Sequence, residues 1–192
     1  RAVDPMFGLE SDFDALIQEA NARDIKIMVD LVLSHVSDVH PWFKDACKSR
    51  ESEYSDCFVW TDPKPDGSPP NNWLSIFGGS AWTWNPTRRQ YYLHNFLESQ
   101  PDLNFHNPRV RREVLSIAKF WLDRGVSGFR LDTVNFYYHD TELRSNPPTS
   151  ARDEALVDPS NPYGYQDHLY DKNRPEVTQF LGELGALMAQ YP

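Results

Sequence analysis

Two short apolar segments, residues 25–33 and 128–132, each follow an amphipathic helical pattern, and this repeat limits the fold more than any other feature. In the first, Ile25, Ile27, Val29, Leu31 and Leu33 alternate with Met28, Asp30 and Val32, so both faces are apolar apart from one acid. Such a segment reads as a buried strand of a parallel sheet. Ahead of it Phe13, Leu16, Ile17 and Ala20 recur at helical spacing, with Ser11 as the expected cap, Asp14 three residues on, and an end near Asp24. Ahead of the second strand Val110, Val114, Ile117, Ala118 and Trp121 form one stripe, opened by Asn107 and Pro108 and stopped by Gly125. Helices alternating with buried parallel strands mean α/β architecture.

Between these units, residues 36–105 dissolve into Pro, Gly, Asn and aromatic residues, too long a stretch for a plain loop. It reads as an inserted small α+β subdomain whose best short strand is 90–96. The expected division is barrel 1–35, subdomain 36–105 and barrel 106–192. After residue 132 comes a loop and then a last helix, with Asn173, Pro175 and Glu176 at its start. A closed α/β barrel needs eight strands and about 250 residues, and two strong strands are visible, so the chain reads as a segment of something larger.

Composition narrows the ligand. A net charge of −9 and a pI near 5.1, with no basic run, argue against nucleic acid or an anionic membrane surface. A neutral, polyhydroxylated ligand suits the 14% aromatic content and six Trp, although such residues also build cores. Cys47 and Cys57 are too few for a disulfide framework and lack zinc spacing, so free thiols are expected. No apolar run approaches about 18 residues and no leader opens the sequence, so a cytoplasmic chain is expected, with periplasmic or secreted placement left open.

The chemistry concentrates at strand ends. In Gly128-Phe129-Arg130-Leu131-Asp132, two-residue spacing puts Arg130 and Asp132 on one face of what reads as a buried strand. A neighbouring guanidinium keeps a carboxylate ionised against desolvation, and an ionised, aimed carboxylate can be a nucleophile. Read without further context, the pair could equally be a structural ion pair.

Three motifs in order, DLVLSH at 30–35, QPDLN at 100–104 and GFRLD at 128–132, resemble the α-amylase superfamily of retaining glycoside hydrolases, in its α-glucosidase and oligo-α-glucosidase branch. SDVHPWF, YYLHNFLESQPDLNFHNP and NPYGYQDHLYDK extend the likeness over essentially the whole chain. The resemblance implies a partial TIM (β/α)8 barrel: second helix, third strand, inserted subdomain, third helix, fourth strand and fourth helix. It implies Asp132 as the nucleophile and Arg130 as its supporting cation. It further implies that His35 binds hydroxyls of the glucosyl unit, that Asp30 is a buried structural acid near Arg130, and that Phe77 and Phe96 line the glucosyl pocket. Thr133, after the nucleophile, leans toward α-1,4 linkages in similar enzymes. Ser34 stands where the family pattern has an asparagine that helps to bind calcium in many amylases, so no metal is expected, and no cofactor is implied.

Retaining hydrolysis needs an acid/base about 5–5.5 Å from the nucleophile, and Glu183 in Gly182-Glu183-Leu184-Gly185 imitates the family's acid motif. Its surroundings have helical periodicity: Val177, Phe180, Leu181, Leu184, Leu187, Met188 and Tyr191 form one stripe, and Glu176, Gln179, Glu183, Ala186 and Gln190 the other. Glu183 therefore reads as a solvent-facing helix residue, and the acid/base is expected beyond Pro192. The reading is hydrolysis of terminal α-glucosidic bonds in short oligosaccharides through a covalent intermediate, with transglucosylation open, by this segment together with the remainder of its barrel. The rivals are a sucrose-, maltose- or trehalose-acting transferase or isomerase of the same superfamily, and a non-catalytic binding subunit.

Overall fold

The computed structural model describes residues 2–149 and 160–191; part of the loop expected after residue 132 therefore lies outside the described residues. Helix α1 (Glu10–Asn21) leads into strand β1 (Met28–Val32), and helix α3 (Pro108–Asp123) leads into β5 (Gly128–Asp132). β1 and β5 pair in parallel, with Asp30 opposite Arg130 and Val32 opposite Asp132. Between them lie a short helix α2 (Pro41–Ala46) and strands β2 (Trp60–Thr61), β3 (Trp82–Asn85) and β4 (Gln90–Leu93), which form an antiparallel sheet in the order β2-β4-β3. Helix α4 (Glu176–Met188) follows.

The start of α3 is built as its sequence asks. Asn107 accepts a hydrogen bond from the Arg109 N–H, Pro108 takes the first position, and Gly125 adopts φ +91 past the end. Val110, Val114 and Ala118 are buried against Phe105 and against Val177, Phe180 and Leu184 of α4, and Leu122 is buried as well. Leu31, Leu33 and the half-buried Val29, Phe129 and Leu131 bring the helix-facing side of the parallel pair into the same core. Each large side chain buried there contributes roughly 1.5–3 kcal/mol.

Several local expectations are corrected. The first helix is capped at Leu9, whose N–H donates to the Asp12 carboxylate at 2.7 Å, so Ser11 lies inside the first turn. Asp14 does not help to cap the helix; its two oxygens accept from Arg124 at 2.7 and 2.9 Å and tie α1 to the end of α3. The first strand is shorter than 25–33 because Asp24 turns the chain at φ +57 and Ile25 is left exposed. The strand expected over 90–96 stops at Leu93, beyond which Asn95 and Phe96 bond to loops. Asn173 is not the cap of α4: it sits at φ +54, and Pro175 precedes the helix without a side-chain bond. Leu181, placed on the apolar stripe, is exposed.

The two faces of the parallel pair differ in exposure. Met28, Asp30, Val32 and Arg130 are exposed, so the strands are buried on their helix side alone. A barrel interior is covered only by strands on its far side, and among the described residues this parallel sheet has two.

Candidate active site

Asp132, expected as the nucleophile, and Asp30, expected as a structural acid, are drawn together because parallel pairing sets β1 and β5 in register. Arg130 donates from one nitrogen to Asp30 and from the other to Asp132 at 2.9 Å, so one planar fork bridges an acid on each strand. The guanidinium is held above its usual range, first by its hydrogen bond and charge interaction with Asp30 and then by Asp132. Asp30 is thus adjacent to Arg130 as expected, although it is half exposed rather than buried. Arg130 aims the Asp132 carboxylate through its hydrogen bond to it.

Past Asp132 the backbone turns abruptly. Thr133 adopts φ +50 and ψ +34 ahead of a single helical turn, Val134–Phe136. The left-handed region is unfavourable for a β-branched residue and costs about 1–3 kcal/mol, so the surroundings must hold it. One restraint is direct: the Ser34 and Thr133 hydroxyl oxygens lie 2.8 Å apart. Ser34 is fully buried at the end of the first strand segment, and its hydroxyl also meets His35 Nδ1 at 2.9 Å.

His35 is half-buried at the strand end, where residues 34–36 run alongside residues 101–103. The Leu103 N–H donates to the Ser34 carbonyl at 2.8 Å, and the Val36 N–H donates to that of Pro101 at 3.2 Å. This pairing brings Gln100 Nε2 to 3.1 Å from His35 Nε2. Burial moves the imidazole below its usual range, opposed by the charge of Asp132. Across the ring lies Phe96, with centroids 5.2 Å apart, and Phe96 meets Phe77 at 6.0 Å and Phe136 at 5.2 Å.

The two phenylalanines are positioned by backbone chemistry. The Phe96 carbonyl accepts from Ser75 Oγ at 2.5 Å and from His94 Nδ1 at 3.2 Å, while His94 Nε2 meets Thr83 Oγ1 at 2.9 Å. Phe77 projects from a tight turn whose next two residues, Gly78 and Gly79, take φ +97 and +80, conformations that favour glycine. A cavity of about 540 Å³ opens between these rings, lined also by Ser75, Thr83, His94 and Glu98. Asp132, Arg130 and His35 lie outside that lining.

Beneath the site Asp102 is fully buried; Asn95 donates to one of its oxygens through both its backbone N–H, at 3.2 Å, and its side chain. Desolvation pushes this carboxyl well above its ordinary range and outweighs both donors.

The structure brings together Asp132, Arg130, Asp30, His35, Thr133 and Phe96, with Phe77 against Phe96 at the exposed rim. Glu183 is placed elsewhere. It lies on α4, which packs against α3 on the helix side of the sheet, and it is half-buried near Tyr138 rather than freely solvent-facing. Sequence reasoning missed Gln100 and Ser34. Both stood inside motifs quoted for the family, but nothing in spacing alone pairs positions 65 or 99 residues apart.

Residues 1–192 match the family of the alpha amylase catalytic domain. The chain belongs to the α-amylase family. A probable α-glucosidase of Rhizobium meliloti (strain 1021) is 59% identical over 192 residues, which is 99% of this chain and 35% of that protein. An oligo-1,6-glucosidase of Heyndrickxia coagulans is 53% identical over 134 residues, 70% of this chain and 24% of that protein. The crystal structure of an α-glucosyl transfer enzyme superposes with a TM-score of 0.96 at 51% identity, covering 100% of this chain and 36% of that one. The chain thus spans about a third of the length of these relatives, and its α/β fold is part of the family's TIM barrel. The two parallel strands are an arc of that barrel, and Asp132, the last residue of β5, stands at the strand end, where barrel enzymes keep their catalytic groups.

Proposed function

We propose that this chain, joined to the remainder of its barrel, cleaves terminal α-glucosidic bonds of short oligosaccharides with retention. The observation that carries the reading is the Arg130 fork, which aims Asp132 from the C-terminal end of β5 with its Nη2 at 2.9 Å. Asp132 attacks the anomeric carbon as the glycosidic C–O bond breaks, and the departing oxygen takes a proton from an acid supplied outside this chain. The resulting glucosyl ester on Asp132 is then opened by water, which gives its proton back to that group and restores the α configuration. Glu183 takes no part, because its helix lies behind the sheet. His35 and Phe96 hold the glucosyl ring, and no metal or cofactor enters.

Transfer is a second reading with its own support. The structure that superposes at a TM-score of 0.96 is that of an α-glucosyl transfer enzyme, and one at 0.81 is that of an isomaltulose synthase. The ester intermediate is common to both outcomes; only the acceptor differs. We place the enzyme in the cytoplasm on the strength of its two free thiols, Cys47 and Cys57.

Trapping tests the reading. The chain with the rest of its barrel is incubated with a mechanism-based 5-fluoro-α-glucosyl fluoride and digested for mass spectrometry. A glucosyl adduct on the peptide bearing Asp132 is expected; its absence favours a binding subunit. Products formed from maltose and from sucrose then separate hydrolysis from transfer.

A further inference from the structure

Gln100 has one orientation open to it. Its Oε1 accepts the Leu97 N–H at 3.1 Å, inside a turn closed by Gln100 N–H donating to the Leu97 carbonyl at 2.8 Å. The amide nitrogen must therefore be the group that faces His35 Nε2, at 3.1 Å. An amide N–H donates, so His35 Nε2 accepts, and a neutral imidazole that accepts at Nε2 carries its proton on Nδ1. That proton points at Ser34 Oγ, 2.9 Å away. Having accepted there, the Ser34 hydroxyl donates onward to Thr133 Oγ1 at 2.8 Å.

We infer that Gln100, His35, Ser34 and Thr133 form one directed hydrogen-bond chain, in which Gln100 and Ser34 are positioning residues that fix His35 as the Nδ1-protonated neutral ring and latch the turn after Asp132. The assignment rests on geometry, and the burial that lowers the His35 pKa favours the same neutral ring. Each link joins a different part of the fold: the 97–100 turn, the end of the β1 segment, and the residue following β5. The last link matters most, because Thr133 holds a backbone conformation unfavourable for its side chain and directly follows the nucleophile.

The chain deepens the proposed glucosyl pocket and rests on it: the single lone pair of His35 Nε2 is taken by the Gln100 amide, so a substrate hydroxyl that donates to the ring must displace that amide.

The test uses the chain with the rest of its barrel, its histidines labelled with ¹⁵N, and the His35 resonances identified by their loss in His35→Asn. Expected is an Nδ1 shift typical of a protonated nitrogen and an Nε2 shift typical of a bare one. The reverse assignment in the wild type overturns the inference. Gln100→Glu replaces the donor by an acceptor and must move a proton onto Nε2; an unchanged spectrum in a variant that melts like wild type also overturns it. Ser34→Ala should lower kcat on p-nitrophenyl α-glucoside on the order of 10-fold with KM moving less than about 2-fold, since misaiming of reacting groups costs rate. Should Ser34→Ala fail to fold, the Gln100→Glu spectrum decides alone. A wild type that turns over no glucoside but shows the Nδ1-protonated ring refutes the proposed function and leaves the hydrogen-bond chain standing.

Discussion

The two sheets of this chain treat their side chains in opposite ways. The parallel pair β1–β5 leaves Met28, Asp30, Val32 and Arg130 open on one face, whereas the antiparallel sheet folds around Trp73, Ala81, Trp82 and Leu93, none more than 3% exposed. Antiparallel strands joined by short turns can be closed over by neighbouring loops. Here Trp73 Nε1 donates to the Arg144 carbonyl at 2.9 Å, and Asn71 and Asn72 bond to the backbone of Leu143 and Asn146. A parallel pair needs long crossovers, and its barrel face is covered only when further strands arrive.

The sharpest break of that contrast is Asp132→Asn. In the chain joined to its barrel, activity should fall about 10⁴-fold or more while the melting temperature hardly moves, as calorimetry can check. Trp73→Ala should do the opposite: a loss of about 3–5 kcal/mol in denaturant unfolding, from a large cavity in a packed site. A result under about 1 kcal/mol would mean that the small sheet is not tightly packed. Arg130→Lys keeps the charge but not the planar fork, and should cost on the order of 10²-fold in kcat/KM with little change in melting. A large melting shift would make Arg130 a structural residue instead.

A pH slope extends the comparison. His139, buried against His106 with ring centroids 4.9 Å apart, has its pKa lowered to about 3, first by desolvation and then by His106. Asp140 and Arg174 also act on it, with opposite signs. Because its folded value lies below the ordinary 6.5, the unfolded chain binds a proton that the folded chain refuses. Stability is therefore full above that ordinary value and falls as pH drops toward about 3, at about 1.4 kcal/mol per pH unit. Unfolding measured between pH 6 and 4 should lose one proton's worth of slope in His139→Gln. Asp102 contributes with the other sign: its raised pKa means that stability is lost as pH rises from the ordinary carboxylate value, so Asp102→Asn should relieve that loss.

Much of this contrast was legible beforehand. The α3 stripe with Asn107, Pro108 and Gly125 announced its helix and both ends, because capping is a local transaction. Helical spacing likewise assigned Glu183 to a helix against a tempting motif. Ser11 failed as a cap for the opposite reason: Asp12 reached back to Leu9, and Asp14 was taken by Arg124, 110 residues away. The strand expected from residue 25 was cut short by the left-handed turn at Asp24, a conformation open to Asp but not required by it.

By itself the sequence determined the α/β order, the register-independent facing of Arg130 and Asp132, and, through its ordered motifs, the family. These are properties of neighbouring residues, set by period two in strands and 3.6 in helices. Only the tertiary structure decided that the fork of Arg130 also holds Asp30, that Gln100 faces His35, and that Ser34 latches Thr133. Those contacts join residues 65 to 100 positions apart, and their directions follow from hydrogen-bond partners that exist only once the strand ends meet.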